Sequence, residues 1–430
     1  MFRFFYSLLF YLIFPVVLLR LVWRAIREPA YAGRWLERFG VCKPVDEDNL
    51  IWVHAVSAGE TIAAVPLIRK LQDKYPGLAF VVTTMTPTGS ERVSALLGGS
   101  VHHTYAPYDL PDMVNRFLHR TSPQMLILID TELWPNIIFQ CHRRSIPVLL
   151  VNGRLSPQSA EGYARVAGLT KGMLDRMAHV AMQSESQARR FESLGLSPER
   201  LSVPGSIKFD LNLPEDLGER QTELREKIGP NRLVLIAAST HEGEEEILLD
   251  AFEKISPSLP HMLLIIVPRH PDRFDSVTKL CLNRRLNVIR HSQGGVCSQE
   301  TNILVVDSMG ELLYFYSISA IAFVGGSLVP VGGHNMMEAA AFGLPIIMGP
   351  HRFHVHDIAE SFIAEGALEE VNGSGDLVDV LGRLGDDDGV RKKMGRSALK
   401  VMKKNAGGLD RTVALIENHL ALSSSSTRMP

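Results

Sequence analysis

The sequence predicts an α/β protein made of two doubly wound domains. Three observations carry this reading. Short runs of Val, Ile and Leu alternate with helical patterns, as they do in parallel sheets buried on both faces. The alternation stops in a polar stretch and then restarts. The two halves also open alike, with IWVHAVSAGE in one and LVLIAASTHEGE in the other. Each is a strand, then a small polar turn, then a Glu on an opening helix.

In the first half the strand-like runs are Leu50–Val53, Ala79–Thr84, Met125–Asp130, Ile146–Asn152 and Val180–Gln183. Helical patterns such as Ile62–Tyr75 and Pro135–Arg144 separate them. Residues 210–232 are polar, with two Pro and two Gly, and read as an interdomain connection that is partly helical. The second half runs through Leu233–Ser239, Met262–Val267, Asn302–Val306, Ala320–Val324 and Pro345–Met348. The expected division is an anchor over 1–27, a first domain over 28–212, a linker over 213–232, a second domain over 233–420 and a disordered tail over 421–430. In doubly wound sheets ligands sit beyond the carboxyl ends of the strands. Functional side chains are therefore sought just after strands.

Composition narrows the function. The 430 residues are 46% hydrophobic and 21% charged, an ordinary balance for a folded protein. The formal charge of −2 argues against general nucleic-acid binding, which needs a surplus of cations. Cys42, Cys141, Cys281 and Cys297 form no C-x-x-C pair and read as free thiols.

Phe4 to Leu19 is an uncharged apolar run. With Leu21 to Trp23 it approaches the roughly 20 residues that cross a bilayer. No small-residue cleavage site follows. Arg20, Arg24, Arg27, Arg34 and Arg38 come next, against Glu28 and Glu37. That surplus places the downstream chain on the cytoplasmic side and suits anionic headgroups. A spanning helix, an interfacial helix and a buried helix all fit this run.

Several turns after strands carry chemistry. Ser57, Gly59 and Glu60 fit a capping box, with Glu60 reaching back to the cap. They equally fit a general base with room for a substrate over Gly59. Asp130 and Glu132 close a strand, and Pro135 opens the next helix. If the strand persisted, their carboxylates would point to opposite faces. Lys208 ends the first half and could reach a phosphate or a carboxylate. Pro268 and Arg269 follow the second strand of the second half, and Arg suits bidentate anion recognition. Met309, Gly310 and Glu311 follow the Asn302–Asp307 run, with Ser308 and Glu311 again at capping-box spacing. Gly325, Gly326 and Ser327 precede Gly332, Gly333, His334, Asn335, Met336, Met337 and Glu338. Paired glycines before a helix suggest an anion site, and Glu338 a hold on a ribose diol. His351, His354 and His356 lack a helical i, i+4 pair and read as a polar loop rather than a metal site.

HAVSAGE, TTMTPTGSER, TELWPN, GSIKFD, STHEGEE, PRHPDRF, MGEL, FVGGSL and GGHNMMEAAAFGLPIIMGPH together resemble the 3-deoxy-D-manno-octulosonic acid (Kdo) transferases of lipopolysaccharide assembly. The resemblance extends to about Glu417. It implies a GT-B type glycosyltransferase, two Rossmann-like domains facing a cleft, with an N-terminal membrane-anchoring helix. It implies inverting, metal-independent transfer from CMP-Kdo to a lipid A precursor (lipid IVA), at the cytoplasmic face of the inner membrane and with no cofactor. Glu60 then becomes the general base, and Lys208 helps to stabilise the transition state. An acidic residue of the TELW segment shares that role. The family pattern is Glu-Thr-Glu where this chain has Asp130-Thr131-Glu132, so both carboxylates stand as candidates. The implied CMP contacts are Pro268, Arg269, Met309, Gly310, Glu311, Asn335, Met336, Met337 and Glu338, with Ser57, Gly59, Ser327 and Gly333 in support. A nucleotide-sugar 2-epimerase of the same shape and a membrane-tethered nucleotide sensor are the competing readings.

Overall fold

The computed structural model describes residues 2–210 and 213–426. They form two compact units: residues up to 210 together with those from 406 on, and the residues between, to 405. Each unit is built on its own seven-stranded sheet, and every pairing is parallel.

The strands of unit 1 are β1 (Leu50–His54), β2 (Ala79–Thr84), β3 (His102–Tyr105), β4 (Met125–Ile129), β5 (Val148–Gly153), β6 (His179–Met182) and β7 (Leu201–Ser202). Their order is β3-β2-β1-β4-β5-β6-β7. All five residues of β1 are buried, because helices cover both faces. Leu50 and Trp52 pack into one apolar layer, and Ile51 and Val53 into the other. This is the period-2 alternation of a strand.

Unit 2 contains β8 (Leu233–Thr240), β9 (Met262–Pro268), β10 (Val288–Arg290), β11 (Ile303–Val305), β12 (Ile321–Val324), β13 (Ile346–Met348) and β14 (Leu368–Glu370). Their order is β10-β11-β9-β8-β12-β13-β14. The ten runs read as strands all fall on observed strands. The four strands without such a run, β3, β7, β10 and β14, are the four sheet edges. Each is two to four residues long and partly exposed. An edge strand has a neighbour on one side only and needs no continuous apolar run.

Two expected boundaries are corrected. The linker expected over 213–232 is part of unit 2. There Leu217–Ile228 is a helix whose Leu224 and Ile228 are buried, and its Arg220 reaches Glu311 at 2.8 Å. The second domain, expected to run to 420, ends at 405. The last helix, Gly408–Ser426, returns to unit 1 and inserts Leu409, Val413 and Ile416 into its core. Asp210 fastens the return by accepting the N–H groups of Gly407 and Leu409, both at 2.6 Å. The expected tail therefore starts inside this helix, and 427–430 lie outside the described residues.

Ile416 is fully buried in unit 1 although it lies more than 200 residues beyond that unit's last strand. Ile416→Ala should destabilise unit 1 by about 2–5 kcal/mol. Denaturant unfolding would show this as an earlier transition of unit 1, with that of unit 2 in place.

Candidate active site

In unit 1 the strand order reverses between β1 and β4. Such a switch point is where doubly wound sheets bind ligands. Glu60 follows β1 there, and Asp130 and Glu132 follow β4.

Ser57 caps the helix Ala58–Lys74. Its hydroxyl accepts the Glu60 N–H at 3.3 Å and donates to Glu60 Oε1 at 2.8 Å. Glu60 Oε2 accepts the Val56 N–H at 2.7 Å. The capping geometry is therefore present, and it fixes the orientation of the half-buried Glu60 carboxylate. A Cβ on exposed Gly59 would meet nothing closer than Ser57 Oγ at 3.9 Å, so the space over the turn is open.

The strand does not persist through Asp130, which is left-handed at φ 58° and buried. The strand ends at Ile129, so the condition for opposite faces is not met, and the charges of Asp130 and Glu60 both act on Glu132. Asp130 accepts from Asn152 Nδ2 at 2.7 Å and faces Arg154 Nε at 3.3 Å. Glu132 accepts from Trp134 Nε1 at 2.7 Å. The Trp134 ring meets buried His54 edge-on at 5.2 Å. His54 shares the Thr83 hydroxyl with Trp52, both at 2.8 Å, and burial pushes its imidazole down to about 3. A neutral aromatic floor thus underlies the acids.

The three carboxyls behave as one electrostatic group. Burial raises Glu60 above the ordinary range, and the Asp130 charge adds to it against the hydrogen bonds from Ser57 and Val56. Burial raises Glu132 to about 7, with the charges of Glu60 and Asp130 adding to the shift. Asn152 connects this group to Lys208. Its Oδ1 accepts from the Ser206 hydroxyl at 3.1 Å and the Ile207 N–H at 3.2 Å. Ser206 in turn accepts the Lys208 N–H at 3.3 Å. The Lys208 turn packs on the helix that carries Glu60.

In unit 2 the strand order reverses between β8 and β12. Glu244, from the turn after β8, is fully buried. It accepts the N–H groups of His241, Gly326, Ser327 and Leu328 at 2.7 to 2.9 Å. Its charge thus holds the Gly325–Ser327 loop, and buried Ser327 bonds Val324 and Gly349. Arg269 follows buried Pro268, and its N–H is held by Thr240 at 3.0 Å. The charge of Arg269 draws the Glu338 carboxyl down, although burial prevails and leaves it raised. Asn335 Nδ2 donates to Glu338 at 3.1 Å. His241 and His334 stack with Nε2 atoms 2.8 Å apart. Burial, then the charge of Arg269, pushes His334 down to about 4.

The other expected residues of unit 2 have varied surroundings. The amides of Gly333 and His334 already donate to Gly326 and Gly325, and that of Met337 to Asn335 Oδ1. The paired glycines close a turn rather than offering amides to an anion. The side chains of Met336 and Met337 are buried, whereas Met309 is 56% exposed beside left-handed Gly310. The Glu311 carboxylate is engaged by Arg220 at 2.8 Å and His291 at 3.0 Å. No group of three or more His, Cys, Asp or Glu that could hold a metal occurs among the described residues.

Comparison with known proteins bears on this arrangement. Residues 33–211 match the family model described as 3-Deoxy-D-manno-octulosonic-acid transferase (kdotransferase). A 3-deoxy-D-manno-octulosonic acid transferase of Haemophilus influenzae is 39% identical over 98% of this chain and 99% of its own. The Bordetella pertussis transferase is 31% identical over 93% and 95%. The chain belongs to the 3-deoxy-D-manno-octulosonic acid transferase family.

This member of the Kdo transferase family is therefore a glycosyltransferase. Its fold is of the GT-B type. A UDP-GlcNAc 2-epimerase of Neisseria meningitidis, solved with UDP-GlcNAc, shares the fold at TM-score 0.56 and 14% identity, covering 85% of this chain and 99% of its own. In the Kdo transferase chain, unit 1 offers the Glu60 carboxyl, with a raised pKa, together with two further acids and the turn that carries Lys208. Unit 2 offers an arginine whose charge acts on the half-buried Glu338 carboxyl. His54, Asn152, Arg154 and Glu244 escaped the sequence reading as site residues. Only Glu244 carried a signal, as the Glu of the second repeated strand–turn–Glu opening.

The raised pKa of Glu132 gives a pH test. Its protonated form favours the fold fully below the unfolded value of 4.5, and that stability is lost as pH rises to about 7. Glu132→Gln should therefore gain melting temperature relative to the parent as pH rises from 4.5 to 7, and the gap should level off above. A pH-independent gap in thermal scans would contradict the assignment.

Proposed function

We propose that the protein is an inverting transferase that moves Kdo from CMP-Kdo to a lipid A precursor. The observation that carries this reading is the Glu60 carboxylate, capped in place at the switch point beside Asp130 and Glu132. A carboxylate with a raised pKa is matched to proton abstraction near neutral pH. Glu60 takes the proton of the acceptor hydroxyl as its oxygen bonds to Kdo C2. The C2–O bond to phosphate breaks on the opposite face, and CMP leaves with the electron pair. Lys208, on the turn fixed by Ser206 and Asn152, stabilises charge in the transition state together with Asp130 or Glu132. Arg269 pairs with an anionic group of the donor, and Glu338 accepts from the ribose diol.

A single phosphate leaving group needs less neutralisation than a diphosphate, so the reaction proceeds without a divalent metal and without a cofactor. The lipid acceptor places the work at the cytoplasmic face of the inner membrane. The apolar helix Phe2–Arg27, with exposed cations at its end, suits that place.

Glu60→Gln should lower transfer by about 10³-fold while CMP binding is kept and the variant still unfolds in a cooperative thermal transition. Mass spectrometry of the lipid after incubation with CMP-Kdo measures the first, and calorimetry the second. Retained transfer in the folded variant would reduce Glu60 to a helix cap. Transfer should also survive EDTA. Inhibition reversed by added divalent metal would defeat the metal-free mechanism.

A further inference from the structure

The helix Phe2–Arg27 is as long as a bilayer is thick, yet one of its faces is covered by protein along its whole length. Arg3, Ser7, Phe10, Phe14, Val17, Leu21 and Arg24 are buried or half-buried, at alternating spacings of four and three. That is one continuous stripe, about 30 Å long at 1.5 Å per residue. At its start the Phe2 ring sits where a Cβ on Gly168 would fall, and Arg3 lies over the Phe139 ring. Further along, Phe10, Phe14 and Val17 pack against Tyr108, Leu110 and Met113. The contacts are also polar. The Ser7 hydroxyl donates to Asn136 Oδ1 at 3.1 Å, and Tyr11 to Asp112 Oδ1 at 2.5 Å.

The opposite face is apolar and bare. Leu12 is 71% and Ile26 77% exposed, and Leu8, Val16, Leu19 and Trp23 are exposed on the same face. A helix crossing the bilayer would carry residues 7–11 to membrane depth, and Asp112 with them. Asp112 is half-exposed and paired with Arg116. Such a pair cannot enter hydrocarbon. The docked stripe and a transmembrane orientation therefore exclude each other.

We propose that this helix lies in the plane of the membrane surface, docked on unit 1 by one face and sunk into lipid by the other. The N-terminus then lies on the same side as the catalytic units. Exposed Arg20 and Arg27 at the bare face meet anionic headgroups. The choice of lipid as occupant rests on the reading that the acceptor is a membrane lipid. The docked orientation itself rests on the contacts alone.

An N-terminal protease site on the full chain tests the orientation in bacterial membranes. It should be cut in inside-out vesicles and not in intact spheroplasts. Cutting in spheroplasts overturns the proposal. Leu21→Ala, on the docked stripe, should lower the melting temperature in detergent by about 5 °C. Leu12→Ala should leave it unchanged, and equal effects would overturn the docking. The purified chain should float with protein-free vesicles of phosphatidylethanolamine and phosphatidylglycerol. Leu12→Glu with Val16→Glu should weaken that binding more than tenfold. Flotation that needs other membrane proteins would make the occupant a protein and defeat the proposal. These readouts do not use transfer activity, so an inactive but correctly placed enzyme would defeat the functional reading alone.

Discussion

Three carboxyl groups share one poorly hydrated corner at the switch point of the first sheet, and much of the site is arranged to keep them there. Burial opposes ionisation of Glu60 and Glu132, and the charge of Asp130 adds to the shift of both. The structure answers with directed hydrogen bonds. Ser57 and Val56 hold Glu60, Trp134 holds Glu132, and Asn152 with Arg154 holds Asp130. Glu60 is left above the ordinary carboxyl range, and Glu132 is raised to about 7.

Asn152 is the joint of this arrangement. It is buried, left-handed and bonded both to Asp130 and to the turn that carries Lys208. A side-chain amide can donate and accept at once, so one residue sets an acid and a base in a common frame. The second unit solves a related problem with a charge. Glu244 satisfies four backbone N–H groups and fixes the loop that leads to His334 and Asn335. A buried carboxylate is tolerated there because it is fully hydrogen-bonded.

The two ends of the chain both belong to the first unit. The last helix completes its apolar core, and the first helix lies along its surface. The unit that carries the proposed base is thus also the one that holds the helix proposed to face lipid, which suits the proposed lipid acceptor.

The sequence by itself determined the central strands, the helices between them and the turns that bear Glu60, Asp130, Arg269 and Glu338. Strands buried on both faces must be apolar throughout, and capping turns need small polar residues, so both leave local marks. Tertiary structure decided the rest. Edge strands such as β10 are half-covered and leave no apolar run. Asp130 is left-handed and bonded to a residue 22 positions away, a partner that no local pattern marks. The Ser57–Glu60 spacing is the same for a cap and a base; the structure shows the cap, and the charge of Asp130 acting on Glu60 is something no spacing encodes. Whether an apolar helix spans or lies flat depends on what covers its second face, and that is a property of packing, not of composition.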